Sequence, residues 1–284
     1  MRIIGKLTRV LPDKIYLQML FFKHLHRFIN FKNPKSFNEK LQCLKLYDRN
    51  PEYTIMVDKY RVKEYVASII GEQYVIPTLG VWKHAKEIDF DKLPNRFVLK
   101  WNHDSGSVIV CKDKKNFIVP NAVKKLNKFE DHNAFWYGRE WPYKNVEPKI
   151  IAEEYLENEG DQLIDYKFYC FNGVPEYCQV IRNRFTEETI DFYDMEWNLM
   201  PFVGLNSVAK NGLNPVEKPL NLDLMINICH CLSKDKAFVR IDLYNVCERI
   251  YFGEITFYPA SGFGMFRPKE WNEILGNKLF IKGR

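Results

Sequence analysis

Between Phe238 and Gly262 the chain reads FVRIDLYNVCERIYFGEITFYPASG, two runs of β-branched and aromatic residues around a polar break. Such runs favour extended backbone and the break folds them together, so a hairpin is expected with strands over 237–244 and 249–256 and its turn at 245–248. Side chains alternate along a strand, which sends Arg240 and Asp242 to one face and Val239, Ile241 and Leu243 to the other. On the second strand Glu254 and Thr256 are expected to share a face with Phe252, with Glu254 roughly across from Val239 and Ile241. The two acids can then lie on one surface of the sheet. An arginine and two carboxylates gathered there are costly unless something binds them. Mg²⁺ with a phosphate group would satisfy all three, because this ion is usually held by one or two acids together with substrate phosphates. An Arg–Asp pair on a solvated face, with a lone Glu at a strand end, is the other reading of the same residues.

The 284 residues suffice for one large domain or two smaller lobes. A net charge of +6 suits anionic ligands: nucleotides, anionic glycans or a membrane surface. Seven cysteines, an odd number, and an opening stretch without the parts of a secretion signal point to free thiols in a reducing cytoplasm. No run approaches the ~20 apolar residues of a membrane helix, so no integral membrane span is expected.

Residues 12–29 are expected to be helical, with Pro12 in the first turn and Ile15, Met19, Phe22, Leu25 and Ile29 recurring at spacings of three and four. Arg2, Lys6, Arg9, Lys14, Lys23, His24, His26 and Arg27 make this segment basic; it either docks on the core with a solvated face or lies on a membrane surface. A second helix is expected over 36–48, opened by a Ser36/Glu39 capping box, and a third over 58–70, closed by Gly71. Strands at 96–100 and 108–111 flank Asn102-His103-Asp104-Ser105-Gly106-Ser107. With Lys100 on the first strand, this turn can fold over a polyphosphate, its N–H groups lining the concavity, or be a plain hairpin turn. His103 beside Asp104 suggests either catalysis or a hydrogen-bonded turn histidine. Within the aromatic stretch 136–143, Arg139 can clamp a carboxylate or stack on a sugar, or the rings can pack a lid onto the core.

A buried strand is expected over 149–156. Strands at 165–171, with Lys167 in the middle, and 175–181 should be joined by an Asn172-Gly173 turn. Arg182 and Arg184 leave the second of these; a short strand at 191–194 and a helix at 222–232 follow. Cys229-His230-Cys231 occupy neighbouring helical positions that point in different directions, which favours core thiols over a metal site.

Several stretches stand together in a familiar order: Ser36-Phe37-Asn38-Glu39-Lys40-Leu41, Asp58-Lys59-Tyr60, Lys100-Trp101-Asn102-His103-Asp104-Ser105-Gly106, Glu153-Glu154-Tyr155-Leu156, Asp165-Tyr166-Lys167-Phe168 and Phe252-Gly253-Glu254-Ile255-Thr256-Phe257-Tyr258-Pro259. Over roughly Pro34 to Met265 they resemble the TupA-like branch of the ATP-grasp superfamily, which is associated with bacterial teichuronopeptide and capsular polysaccharide biosynthesis. The resemblance implies an α+β fold holding ATP between two lobes: an N-terminal helical segment (1–50), a first lobe with Lys100 and the phosphate loop (51–148), and a C-terminal lobe with hinge and metal ligands (149–284). It implies that Lys100, His103, Ser105, Gly106, Ser107 and Lys167 contact the phosphates. Glu153, Glu154, Tyr155 and Leu156 would form the hinge against adenine, and Asp242 and Glu254 would hold Mg²⁺. Thr256 stands where many relatives carry Asn, a weaker third ligand. Lys100 and Arg240 are the implied catalytic cations, and Arg139, Arg182 and Arg184 are candidates to hold substrate anions.

The implied reaction is ATP-dependent ligation of an amine to a carboxylate, such as a uronic acid of an anionic glycan, through an acyl phosphate. A kinase acting on a glycan hydroxyl, a glycosyltransferase and a non-catalytic basic module are the alternatives. The expected setting is the cytoplasm, with peripheral contact to the membrane's inner face or a lipid-linked glycan, and no nucleic-acid partner.

Overall fold

The computed structural model describes residues 9–157, 163–182, 187–205 and 210–281. Helix α1 (Asp13–Leu25) is shorter than expected, because His26 takes a left-handed conformation, φ 54°, and stops it. Helix α2 (Phe37–Tyr47) opens with the expected capping box: Ser36 Oγ accepts from the Glu39 N–H, and the Glu39 carboxylate accepts from the Ser36 N–H. Helix α4 (Arg61–Ile70) starts three residues later than the helix expected from residue 58, and a short helix that was not expected, α3 (Tyr53–Val57), precedes it. The break falls at Asp58, which is extended, its carboxylate accepting from the N–H groups of Tyr60 and Arg61. Gly71, at φ 108°, ends α4.

Next come strands β1 (Thr78–Trp82), β2 (Phe97–Trp101) and β3 (Ile109–Cys111), helices α5 (Val119–Phe129) and α6 (Ala134–Gly138), and strand β4 (Ile150–Glu154). The four strands form an antiparallel sheet in the order β1-β4-β2-β3. Its inner face, Phe97, Leu99, Trp101, Ile150 and Ala152, packs with Ile88, Leu93 and Leu126 in a core of its own.

The remainder is β5 (Asp165–Phe171), β6 (Val174–Arg182), β7 (Thr189–Tyr193), β8 (Val203–Gly204), α7 (Leu222–Ser233), β9 (Phe238–Val246), β10 (Arg249–Thr256), β11 (Phe266–Arg267) and α8 (Trp271–Lys278). A five-stranded antiparallel sheet, β10-β9-β5-β6-β7, dominates it. Asn172-Gly173 makes the expected turn, with φ 52° and 85°. The β9–β10 turn is tighter than expected: Val246 pairs with Arg249, leaving Cys247 and Glu248 alone in the loop at φ 49° and 63°.

The large sheet's core joins Phe168, Ile241, Leu243 and Ile255 to Met225 and Cys229 of α7, to Leu41 of α2 and to Val62 and Val66 of α4. The expected division at 50/51 therefore cuts across the larger core, and that at 148/149 cuts across both. Helices α3 and α4 bury their apolar faces in the larger core, and β4 is paired on both edges inside the smaller sheet.

A two-residue turn with positive φ at both positions suits Asn-Gly and strains L-residues with larger side chains. Replacing Cys247-Glu248 by Asn-Gly is expected to stabilise the protein by about 1 kcal/mol, raising the melting temperature by roughly 2 °C in calorimetry. A lower melting temperature would contradict this turn and the register it sets.

Candidate active site

The position of Glu254 depends on a bulge. Strand β10 pairs with β9 as Phe252↔Leu243 and then Glu254↔Asp242, so Gly253 is an extra residue. In an unbroken ladder Glu254 would stand opposite Ile241 on the core face. With the bulge, Glu254 and Thr256 join the face of Asp242 and Arg240, while Phe252 stays in the core at 3% exposure. This corrects the expectation that Phe252 and Glu254 share a face. A Cβ at position 253 would approach the Tyr244 ring at 3.0 Å and the Asp242 carbonyl oxygen at 3.1 Å, so glycine suits the position.

The result is a polar row across four strands, in which Gln179, Lys167, Asp242 and Glu254 are successive cross-strand partners. Beside it run Tyr177, Tyr169, Arg240 and Thr256. Arg240 Nε and Nη2 donate to the two Asp242 oxygens at 2.6 and 2.8 Å, and Nη2 also reaches Glu254 Oε1 at 2.8 Å and Thr256 Oγ1 at 3.1 Å. The Thr256 hydroxyl donates to Glu254 Oε1 at 3.0 Å. Lys167 Nζ donates to Asp242 and lies 3.7 Å from Asp165. Lys59 Nζ, 3.7 Å from Glu254 Oε2, also donates to the Asp104 carbonyl.

Burial pushes the Asp242 carboxyl up even against Arg240 and Lys167. For Glu254, burial works the same way but is outweighed by Lys59, Arg240 and Lys167 together, which hold the carboxyl below its usual range. Burial would lower the Arg240 pKa; Asp242 and Glu254 overcome it and raise it.

The smaller sheet supplies the opposite wall. Lys100 Nζ meets the buried Glu153 carboxylate at 2.5 Å, and Lys63 Nζ meets its other oxygen at 2.7 Å. The loop after β2 is tied down from below: Asn102 Nδ2 donates to Asp58 Oδ1 at 2.9 Å and to the Glu147 carbonyl at 3.0 Å, while the Lys59 N–H donates to the Asn102 carbonyl at 3.0 Å. Ser107 Oγ donates to Asp104 at 2.6 Å and accepts from the Trp101 N–H at 2.8 Å. Ser105 faces the cavity between the sheets, whereas His103, Asp104 and Ser107 are buried beneath it. Burial lowers the His103 pKa, which favours the neutral ring expected of a turn histidine. Gly106 lies against α5, where a Cβ would meet the Phe129 ring at 2.7 Å. The cavity holds about 350 Å³ and gathers Lys59, Lys100, Lys167 and Arg240 with Asp165, Asp242 and Glu254.

Other expected site residues do not line this cavity. Arg139 is 1% exposed, with Nε 2.9 Å from Asp13 and its guanidinium 4.2 Å over the Tyr16 ring, so it fastens α6 to α1 instead of facing a substrate. Arg182 donates to the buried Asp191 and to the Asn214 carbonyl, both at 2.8 Å, which fixes a loop. Arg184 falls outside the described residues. Tyr155 and Leu156 follow β4 without lining the cavity, and Glu154 is exposed. Lys59, Lys63, Asp165, Gln179 and Tyr244 were missed. The signal for Asp165 was its position two residues before Lys167 on the same strand, hence on the same face; for Lys59 it was Asp58-Lys59-Tyr60. Among the described residues no group of three or more His, Cys, Asp or Glu side chains could hold a metal alone. Cys229 is buried and Cys231 exposed, as their helical positions require.

Burial would raise the Glu153 carboxyl, but Lys100 and Lys63 hold it below the usual 4.5. A carboxyl that titrates lower in the folded chain supports the fold above the unfolded value, and that support is lost as pH falls through the folded one. Glu153→Gln is expected to cost about 3 kcal/mol by urea unfolding near pH 7, because it leaves two poorly solvated lysines unpaired. The variant's stability should also fall less steeply than wild type below pH 4.5; parallel acid limbs would rule out this role for Glu153.

A sequence model of a family described as TupA-like ATPgrasp matches residues 39–280. No curated protein matches. Among solved structures, D-alanine–D-alanine ligase from Bacillus anthracis complexed with ATP is 17% identical with a TM-score of 0.41, covering 72% of this chain and 54% of that chain. Another structure of that ligase is 14% identical at TM-score 0.46, covering 78% and 63%. The ATP-grasp ligase PsnB complexed with minimal precursor, Mg and ADP is 10% identical at TM-score 0.42, covering 84% and 64%. The chain thus spans 54% and 63% of the two Bacillus anthracis ligase chains. At such distances these likenesses carry no functional weight, and family membership rests on the sequence match.

Proposed function

The chain belongs to the TupA-like ATP-grasp family, and from that membership we propose that it is an ATP- and Mg²⁺-dependent carboxylate–amine ligase of bacterial surface-polysaccharide synthesis. The carboxylate we assign to a uronic acid of an anionic glycan, as the family's association with teichuronopeptide and capsule suggests. The observation that carries the reading is the row Lys167–Asp242–Glu254, flanked by Arg240 and faced by Lys59 and Lys100 across one cavity.

This donor set fits the proposed ligands. Asp242 and Glu254 offer hard carboxylate oxygens on adjacent strands, the number that Mg²⁺ takes when phosphates complete its shell, and Thr256 adds a hydroxyl beside them. Bound there, Mg²⁺ would polarise the phosphoryl oxygens. In this reading Lys59, Lys100 and Lys167, which line the cavity, would offset phosphate charge, with Arg240 pre-oriented by its hydrogen bonds to both carboxylates. Because Glu153 is engaged by Lys63 and Lys100, polar recognition of a base beyond β4 falls to the backbone of 154–156 and to Glu154.

In the proposed reaction a carboxylate oxygen of the substrate attacks the γ-phosphorus and the bond to the bridging oxygen breaks, releasing ADP. An amine then attacks the acyl carbon and expels phosphate. Positioning and electrostatics suffice for the first step, so no protein nucleophile is required. An ATP-consuming reaction of this kind is proposed for the cytoplasm; among the described residues no helix is long and apolar enough to cross a membrane.

Mg-ATP at 100-fold over its Kd is expected to stabilise the wild type by about 2.7 kcal/mol in a thermal-shift titration. Lys100→Ala and Glu254→Gln should lose most of that gain and reduce ADP release roughly a hundredfold or more while remaining folded. With a uronic acid and an amine present, the products should be amide, ADP and free phosphate. A phosphate ester would move the assignment to a kinase, and no shift at millimolar Mg-ATP would defeat both.

A further inference from the structure

Helix α1 buries one side and leaves another bare. Leu17 and Phe21 pack with Ile29, Phe31 and Cys43 in a small cluster. Ile15, Met19 and Phe22, spaced by four and three and therefore on one face, remain 52%, 56% and 47% exposed. Phe28, 67% exposed, stacks on Phe22 with ring centroids 5.0 Å apart and extends the patch. Single apolar side chains on a surface need no explanation; four large ones on one helix and the turn after it do.

The charge around them has one sign. Residues 9–35 carry six Lys and Arg and a single acid, Asp13. Asp13 is engaged by Arg49 at 2.6 Å and Arg139 at 2.9 Å, so it does not offset the surface cations. Lys14, Lys23, Lys32 and Lys35 are all exposed, and Lys14 stands 5.4 Å over the Phe31 ring.

We propose that this face docks on an anionic lipid bilayer, with Ile15, Met19, Phe22 and Phe28 entering the boundary between headgroups and acyl chains and the lysines meeting lipid phosphates. The pattern selects this occupant over others. A second copy seated on the same face would bring Lys14 and Lys23 against their own like charges. A nucleic acid would satisfy the lysines but give the four apolar side chains nothing to pack against. The surface is independent of the reaction assigned above.

The test is co-sedimentation of the full chain with phosphatidylcholine vesicles, with and without phosphatidylglycerol, alongside light scattering of the protein alone. Wild type should pellet with the phosphatidylglycerol vesicles, lose that binding in high salt, and stay largely in solution with phosphatidylcholine alone. Met19→Glu/Phe22→Glu and Lys14→Glu/Lys23→Glu should each bind roughly tenfold or more weakly, with unchanged melting temperatures because all four positions are exposed. Absence of pelleting, or equal pelleting by the variants, would overturn the proposal. So would a wild-type dimer that Met19→Glu/Phe22→Glu converts to monomer, since the face would then belong to a second copy.

Discussion

Arg240 and Asp242, with side chains 11% and 2% exposed, are charged groups on the inner side of a sheet where an unpaired charge is expensive, and Glu254, 31% exposed, joins them at the cavity. The surrounding structure answers that constraint. Arg240 spans both carboxylates, Lys167 closes on Asp242 from the neighbouring strand, and Lys59 approaches Glu254 from the loop before α4. Neutralisation is shared across four segments of chain, so the position of each charge depends on the strand register of the others. The Gly253 bulge allows this arrangement, because it turns Glu254 from the apolar side of β10 to the polar one.

The opposite wall follows the same logic on a smaller scale. Glu153 stands on β4 between β1 and β2 and is 4% exposed, and Lys63 and Lys100 compensate its charge, one on each carboxylate oxygen. Asp58 and Asn102 link the two walls from below, and Lys59 reaches both, through the Asp104 carbonyl on one side and Glu254 on the other. The cavity between the sheets is thus bounded by groups whose charges are already balanced locally, and it still presents several cations toward its interior.

A further buried cation shapes the rim. Lys45 Nζ donates to the Gly138 and Ser261 carbonyls, each at 2.7 Å, and lies 4.8 Å over the Phe263 ring. Burial lowers its pKa to about 8 against the pull of Glu140. Its hydrogen bonds hold the turn after β10, where Ala260 and Ser261 sit at φ 47° and 52°, conformations that side chains bearing a Cβ avoid unless their surroundings impose them. Ala260 lines the cavity, so the lysine fixes the rim without facing it.

Period-2 alternation places Arg240 with Asp242, the Ser36/Glu39 spacing announces a capping box, the apolar run around Lys167 makes it mid-strand, and the combined motifs indicate the family from sequence alone. Those signals are local: they depend on backbone periodicity and on hydrogen bonds between residues a few positions apart, which a linear sequence records. Whether Glu254 faces the core or the cavity, whether Arg139 meets a substrate or Asp13, and which core receives β4 are decided by pairings between residues far apart in the chain. A single extra residue at Gly253 inverts the alternation beyond it; a lone glycine inside a strand is the local hint of such a bulge, but the pairing with β9 decides that the ladder skips it. The side chains available to the site were written in the sequence; strand register and buried charge balance, both collective properties of the folded chain, decided which of them meet.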